Sequence, residues 1–342
     1  MSTDLIFITQ MKLFNYFCCL SFICLDLISF PCLSKAGFDE VPDDAIKNMV
    51  GFLDQNSWIS LLQVSQKYNK LVPQGVPTIR VNRDTLVDLS AAKIIANLRA
   101  SLLKNVPQGE KHQALESLDL YHLDLTDEGL TELVAFIQES FPNIKKLNLA
   151  YNNIGDAGAA SLKELRELQI LDLGLNKIGD TGVASLKQLQ KLKELDLSDN
   201  EIRLTGGASF KELPELQKLN LHGNNIGDAG AASFEGMAEL KELTLIGCGI
   251  GDAGVESLKG LPKLQVLDLS NNEIRLTGGA SFKELPELQK LNLFANKIRD
   301  VGAASFEGMA QLKVLDLKAN PIRRASIKAL RQTLVDCQIV AD

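Results

Sequence analysis

Apolar residues return at a fixed spacing over most of the chain. From residue 115 onward the pattern L-x-x-L-x-L-x-x-N-x-I recurs every 24 residues, apart from a first copy that starts 29 residues before the second. Within one copy, Leu216, Leu219 and Leu221 predict a short strand with its flank and a single buried face. Segments of the type "IGDAGAASL" follow the strands and predict short helices, with an aspartate such as Asp228 as the cap. Nine copies begin at Leu115, Ile144, Leu168, Leu192, Leu216, Leu240, Leu264, Leu288 and Leu312.

A single copy is too small to bury its own leucines, whereas a stack of copies buries a continuous core. The predicted fold is therefore an α/β solenoid, with a curved parallel sheet inside and short helices outside. In the copy that starts at Leu216, Ala232 and Phe234 are expected to point inward. A buried asparagine in each turn should satisfy backbone groups, and Cys248 takes its place in the sixth copy. The predicted ladder consists of Asn152, Asn176, Asn200, Asn224, Asn272, Asn296 and Asn320.

The repeated pattern resembles the leucine-rich repeat family, close to its ribonuclease-inhibitor-like kind. The domains then divide as a leader over 1–36, a helical module over 37–72, a linker and N-terminal cap over 73–114, the solenoid over 115–322 and a C-terminal cap over 323–342. In the linker, "TIRVN" predicts a strand and residues 83–106 predict an amphipathic helix. At the C-terminus, residues 321–337 predict a closing helix.

Residues 37–72 show apolar positions at helical spacing, with Pro42 suited to a helix start. The order of residues resembles an F-box, so the fold class includes a small all-α F-box-like module before the solenoid. The resemblance implies docking onto the Skp-type adaptor of a cullin–RING ubiquitin ligase. The alternative is a helical N-terminal cap for the solenoid. Under the F-box interpretation, the adaptor contacts would be Val41, Pro42, Ile46, Leu53, Leu61, Val64 and Tyr68.

The first 36 residues differ from the rest of the chain. An apolar run from Leu13 to Leu25, followed by Ser34-Lys35-Ala36, is typical of a secretory signal peptide. The stretch Leu13–Leu33 is also long enough for a membrane anchor, and a dispensable leader is the third alternative. Export conflicts with a cytoplasmic ligase, unless the protein is a bacterial effector that acts in the cytoplasm of a host cell.

Composition argues against several other functions. The net charge is −7 and the sequence pI is near 5.2, so nucleic acid is a poor candidate partner. Four of the six cysteines lie in the first 32 residues, which leaves no disulfide or metal-ligand spacing in the body. The histidines His112, His122 and His222 are not spaced as metal ligands either. The sequence therefore predicts no catalytic residue, no metal, no cofactor and no small-molecule substrate.

One stretch, "GCGIGDAG" at 247–254, mimics a dinucleotide-binding loop through Gly249, Gly251 and Gly254. Asp268 even lies where a ribose-binding carboxylate would be expected. The neighbouring repeats contain the same Ile-Gly-Asp-x-Gly without Gly249, however. A 24-residue period is also too short for the strand–helix–strand unit of roughly 30 residues that such a fold needs. We therefore interpret this stretch as an ordinary turn of the repeat.

Binding is expected on the concave face of the sheet. One outward column, from Asp119 to Asp316, is nearly uniform and indicates solvation. The neighbouring column varies and carries aromatic and apolar residues, which are candidate hot spots for a protein partner, although incidental exposure is the alternative. The candidate target-binding residues are Tyr121, Tyr151, His222, Ile246 and Phe294.

Two functions remain open from the sequence. The first is a non-enzymatic adaptor that holds a target protein on its repeats and docks the Skp-type protein through its F-box-like module. The second is a secreted or anchored leucine-rich-repeat binding protein without a ubiquitin role. Location follows the leader: exported if it functions as a signal, membrane-attached if it is retained as an anchor, and otherwise cytoplasmic.

Overall fold

The computed structural model describes residues 116–204, 210–277 and 282–342, together with the backbone of 78–80. All of these residues lie in one unit of the chain, Asn69–Asp342. The predictions for the leader, the F-box-like module and the helix over 83–106 fall outside the described residues. The seven predicted adaptor contacts, from Val41 to Tyr68, therefore remain predictions.

The described strands form one parallel sheet, and strands that follow each other in the chain are neighbours in the sheet. Nine of them are the strands predicted by the repeat, and β1 is the strand predicted by "TIRVN". The C-terminal strand β11 was not predicted. The strands are β1 (Thr78–Arg80), β2 (Ser117–Asp119), β3 (Lys146–Asn148), β4 (Ile170–Asp172), β5 (Glu194–Asp196), β6 (Lys218–Asn220), β7 (Glu242–Thr244), β8 (Val266–Asp268), β9 (Lys290–Asn292), β10 (Val314–Asp316) and β11 (Gln338–Val340).

Helices connect the strands on the opposite side of the buried layer. Most are short, because little more than half of a 24-residue repeat is left after the strand and its turn. The predicted C-terminal helix is present as the last of them. The described α-helices are α1 (Asp127–Ser140), α2 (Asp156–Ser161), α3 (Asp180–Ser185), α4 (Gly227–Ala231), α5 (Asp252–Ser257), α6 (Asp300–Ala304) and α7 (Arg324–Thr333).

Leucines of successive strands stack in register and form the core. Leu171 pairs with Leu195, and Leu195 with Leu219, and all three are buried, as are the predicted Leu216 and Leu221. Burial of each leucine contributes roughly 1.5–3 kcal/mol. The stack of these identical positions therefore provides the continuous apolar core that a single repeat lacks.

Phenylalanines add a second buried stack beneath the helices. The rings of Phe210 and Phe234 lie 6.3 Å apart at 13°, and Phe234 is fully buried as predicted. The prediction that Ala232 points inward is wrong, because Ala232 is exposed and Ala231 is buried. With 3.6 residues per turn, Ala231 and Phe234 share one helical face, whereas Ala232 is rotated away from it.

The asparagine ladder is present as predicted. The Asn176 side-chain amide donates to the carbonyl oxygens of Leu149, Leu173 and Gly174, at 3.0, 3.0 and 3.1 Å. Its oxygen accepts a hydrogen bond from the Ile154 N–H of the preceding repeat at 3.0 Å. One buried side chain thus satisfies four backbone groups and joins two repeats, which explains why the turn requires an amide.

The repeat aspartates differ from their predicted role. Asp228 was expected to cap its own helix, but its Oδ1 accepts from the N–H groups of Gly251 and Gly254, at 2.6 and 2.9 Å. These donors are the N-cap residue and a first-turn residue of α5, in the next repeat. Asp156 bonds in the same way to Gly179 and Gly182. Because each helix start lies beside the preceding repeat, the aspartate one repeat earlier is the carboxylate within reach.

Cys248 replaces only part of the hydrogen bonding that an asparagine of the ladder provides. Its thiol lies 3.1 Å from the Leu221 carbonyl oxygen, and burial raises the pKa of this thiol to about 12. A thiol offers no good acceptor for the preceding repeat, however. Among the described residues, the buried Ile226 N–H forms no hydrogen bond. The turn there is altered: Gly227 takes φ +61° and donates to the Cys248 carbonyl oxygen at 2.9 Å.

Candidate functional site

The face of the sheet opposite the leucine core, called here the open sheet face, carries the residues that alternate with the buried leucines. A column of Asp and Asn side chains runs along it. The residues of this column are half-buried from Asn148 to Asp316, and Asp119 is buried with 8% exposure. The predicted solvation of this column is therefore only partial, because its carboxylates and amides bond to one another.

Amides and hydroxyls donate hydrogen bonds to several carboxylates of this column. Asn292 donates to Asp268 at 2.8 Å, and the Ser270 hydroxyl donates to the same carboxylate at 2.7 Å. Asp196 receives equivalent bonds from Asn220 at 2.7 Å and from the Ser198 hydroxyl at 2.6 Å. These carboxylates are thus held in place by side-chain donors on their own and the next strand.

Asp172 lacks such donors. Within the described part of the chain, its carboxylate accepts one hydrogen bond, from the Gly174 N–H at 3.0 Å. Gly174 occupies the position of Ser198 and Ser270 but has no hydroxyl. Burial raises the pKa of Asp172, the bond from Gly174 opposes this shift, and the charges of Asp196 and Asp119 add to it. A cation at this carboxylate would therefore be favoured electrostatically.

Two of the predicted target-binding residues form an aromatic cluster with His122. The ring centroids of Tyr121 and Tyr151 lie 5.8 Å apart, and those of His122 and Tyr151 lie 4.0 Å apart with an interplanar angle of 76°. Tyr121 is 47% exposed and Tyr151 is 43% exposed. Exposed, mutually packed aromatic rings are typical of binding hot spots.

Leu175 extends the same surface and was not among the predicted binding residues. It is 45% exposed and occupies, one repeat later, the position of Tyr151. The signal was present in the sequence, because aligning the repeats places His122, Tyr151 and Leu175 in one column. Together with Asp172, the three exposed residues and His122 form the aromatic–acidic patch, defined as Tyr121, His122, Tyr151, Asp172 and Leu175.

The other predicted target-binding residues lie farther along the sheet. His222 and Ile246 are neighbours, since His222 Nδ1 lies 3.2 Å from the Ile246 carbonyl oxygen, and both are half-exposed. Phe294 is 38% exposed. Six strand spacings of about 4.8 Å separate its repeat from that of Tyr151. The structure thus brings Tyr121 and Tyr151 together and leaves Phe294 distant.

The glycine-rich stretch at 247–254 is the turn that its neighbours predicted. Gly249 has φ +72° and lies beside a polar depression of about 810 Å³ bordered by Arg203, Asn225 and Gly247. The N–H groups of Gly251 and Gly254, which would hold a phosphate in a dinucleotide loop, already bind the Asp228 carboxylate. That negative charge disfavours an anion at this position.

Two further properties of the described residues bear on the site. No group of three or more His, Cys, Asp or Glu side chains among them is arranged to hold a metal ion. Likewise, none of their helices combines the length and apolar character needed to cross a bilayer.

Comparison with known proteins agrees with the repeat architecture. The leucine-rich repeat family model matches residues 166–226, 190–250 and 238–298, and a second leucine-rich repeat model matches residues 142–163. These parts of the chain are leucine-rich repeats, as the 24-residue spacing predicted. No curated protein sequence matches the chain.

Two solved structures show the same fold. An internalin from Listeria monocytogenes superposes with a TM-score of 0.52 and 24% identity, over 73% of this chain and 68% of the internalin chain. A chain of the mouse RP105/MD-1 complex gives a TM-score of 0.52 and 24% identity over 68% of this chain, which spans 44% of the mouse chain.

Proposed function

We propose that this protein is a non-enzymatic binding scaffold whose open sheet face holds a target protein. The observation that carries the proposal is the cluster of Tyr121 and Tyr151 with Leu175, three large apolar side chains that each remain more than 40% exposed on adjacent repeats. Contiguous exposed apolar surface is typical of interaction sites. Burial of these side chains against a partner would contribute the hydrophobic part of the binding free energy.

The solved relatives support the same role. The mouse chain was determined as part of the RP105/MD-1 complex, so a chain with this fold takes part in a protein assembly there. In repeat folds, side chains on a fixed backbone create the specificity. In this proposal, the variable residues of the open sheet face recognise the target protein.

Capture of a target tests this proposal. Full-length protein with Tyr121→Ala and Tyr151→Ala should select fewer partners from a displayed random-peptide library than the wild type, because the exposed aromatic area is lost. Val301→Ala on α6 is the matched control, since Val301 is 78% exposed but lies on a helix. Equal selection by wild type and double variant would remove the open sheet face as the binding site.

The finer proposal is that residues 37–72 dock the Skp-type adaptor, so that the bound target is presented for ubiquitin transfer by a cullin–RING ligase. It is supported by the F-box-like order of Val41, Pro42, Leu53, Val64 and Tyr68 in the sequence. The protein would then perform no chemistry itself. Apolar helix residues that enter a groove of the adaptor would carry the contact.

A pull-down with purified Skp-type adaptor tests the finer proposal. Wild-type protein should retain the adaptor, and Pro42→Ala combined with Leu53→Asp should not, because a charge enters the apolar contact. The Tyr121→Ala and Tyr151→Ala variant serves as control and should retain the adaptor. If the wild type fails to retain it, the second candidate follows: a secreted or anchored binding protein without a ubiquitin role.

A further inference from the structure

The aromatic–acidic patch contains bulky residues at positions where the fold favours small ones. His122, Tyr151 and Leu175 have φ values of 56°, 59° and 55°, in the left-handed region. This conformation costs an L-residue about 1–2 kcal/mol relative to its ordinary conformations. Later repeats place glycine or other small or polar residues at the same position, at Gly223, Gly247, Asn271, Ala295 and Ala319.

Packing within the chain explains these bulky residues only in part. Tyr151 and Leu175 are 43% and 45% exposed, so burial within the chain offsets only part of the backbone cost. A glycine or asparagine would serve the turn as well or better. Exposed side chains kept in an unfavourable conformation indicate selection for an external contact.

The chemistry beside these side chains is acidic. The Tyr151 N–H donates to the Gly174 carbonyl oxygen at 2.8 Å, and the Gly174 N–H donates to the Asp172 carboxylate at 3.0 Å. The backbone of Tyr151 and the carboxylate of Asp172 are therefore both hydrogen-bonded to Gly174. Asp119 and Asp196 lie in the same column, so a partner side chain that covers Tyr151 meets a negative field.

We infer that the aromatic–acidic patch binds an arginine side chain of the target protein, stacked on Tyr121 and Tyr151 and paired with Asp172. This inference rests on the proposed binding function of the open sheet face. A planar guanidinium both stacks on aromatic rings and donates to a carboxylate, whereas an ammonium does so less well. Leu175 contacts an apolar residue next to that arginine.

A displayed library of random peptides, selected on the full-length protein, tests the inference. Peptides that bind wild type and fail to bind Tyr121→Ala with Tyr151→Ala define ligands of the patch. Arginine next to an apolar residue should be enriched among them over its frequency in the unselected library. Ligands of the patch without that enrichment would overturn the arginine assignment while leaving the binding function intact.

The affinity of a selected peptide for wild type and for Asp172→Asn then tests whether the Asp172 carboxylate pairs with the arginine. The most enriched arginine peptide should bind Asp172→Asn about tenfold more weakly than wild type, the size of one good anchor contact. The matched control is Asp316→Asn, since Asp316 belongs to the same column at the other end of the sheet and should leave the affinity unchanged. Replacing the arginine of the peptide by lysine should also weaken binding.

Two results would contradict this assignment. If Asp172→Asn and wild type bind the peptide equally, Asp172 is not the partner of the arginine. If no peptide depends on Tyr121 and Tyr151, the binding function of the open sheet face fails, and the inference fails with it. Folding is checked separately: asparagine already occupies this column in other repeats, so Asp172→Asn should leave the thermal transition intact.

Discussion

The same 22-residue sequence occurs at 200–221 and at 272–293, and the turns that follow the two copies differ. After the second copy, Arg299 has φ −115° and the Ile298 N–H donates to the Asn320 side chain at 3.0 Å. After the first copy, Gly227 has φ +61°, and among the described residues the Ile226 N–H has no acceptor. Both turns lack the preceding aspartate, since Leu204 and Leu276 replace it. Two differences remain, Cys248 against Asn320 in the ladder and Gly227 against Arg299 in the turn itself, and we expect the ladder position to determine the altered turn.

Side chains from the two neighbouring repeats act on the backbone of each turn, and they differ in importance. The aspartate of the preceding repeat is dispensable for a regular turn, because the Arg299 turn forms without it. The asparagine of the following repeat is required, because it supplies the acceptor for the isoleucine N–H. The backbone of each turn thus depends on a side chain that lies a full repeat later in the sequence.

The largest expected effect comes from making the regular turn resemble the altered one. Asn320→Cys removes the acceptor of the Ile298 N–H and the amide bonds to Leu293, Leu317 and Lys318. Leaving such backbone groups unpaired should lower the free energy of unfolding by about 2 kcal/mol. Urea denaturation of wild type and variant measures this difference, and an unchanged midpoint would contradict the assigned role of the asparagine.

The converse substitution should repair the altered turn. Cys248→Asn provides an acceptor for the Ile226 N–H and full amide donors for Leu221 and neighbouring carbonyl groups. We expect the free energy of unfolding to rise by about 1 kcal/mol. Denaturation under reducing conditions checks the change. Cys337→Ser outside the ladder controls for loss of a thiol, and destabilisation by Cys248→Asn would show that the cysteine fits better than the amide.

An effect of similar size is expected at Gly227 itself. Gly227→Ala should lower the free energy of unfolding by about 1 kcal/mol, because alanine disfavours positive φ, while no atom lies within 4 Å of the added Cβ. In the Cys248→Asn background the same change should cost less, since the repaired turn no longer needs positive φ. A double-mutant cycle measures this coupling. Simple additivity of the two effects would separate the Gly227 conformation from Cys248.

Leucine and asparagine spacing predicted most of the fold, because both residue types act at a fixed place in every repeat. The strands β2–β10, the ladder and the helix α7 follow from that spacing. The partner of Asp228 could not be predicted, because it depends on how the start of one helix is positioned against the preceding repeat. The strand β11, Gln338–Val340, is as short as the other strands but follows the last complete copy of the repeat, so the spacing does not predict it.

The candidate site was predicted in part. Tyr121 and Tyr151 stand out as aromatic residues in a sequence with 6% aromatic content, and aligned repeats place them near each other. The left-handed backbone of Tyr151 and Leu175 is invisible in composition, because it is imposed by the turn. The isolation of Asp172 has two causes. Gly174 lacks the hydroxyl that Ser198 and Ser270 supply, and the next strand carries Asp196 where other strands carry a donating asparagine.

The bonds that each repeat receives from its neighbours also restrict how the chain can change in length. Asp300 holds the start of the last helix through the Arg323 N–H and the Ser326 hydroxyl, as Asp156 and Asp228 hold the helices after them. Removal of one complete 24-residue period joins equivalent donors to equivalent acceptors. A change of another size keeps them only where a helix takes it up, as in the 29-residue first copy: its helix α1 is longer, and the Gly155 N–H still donates to the Asp127 carboxylate at 2.7 Å. The two identical blocks, three periods apart, obey this restriction. Insertions and deletions in the stack are thereby restricted to whole repeats or to the helices between the strands.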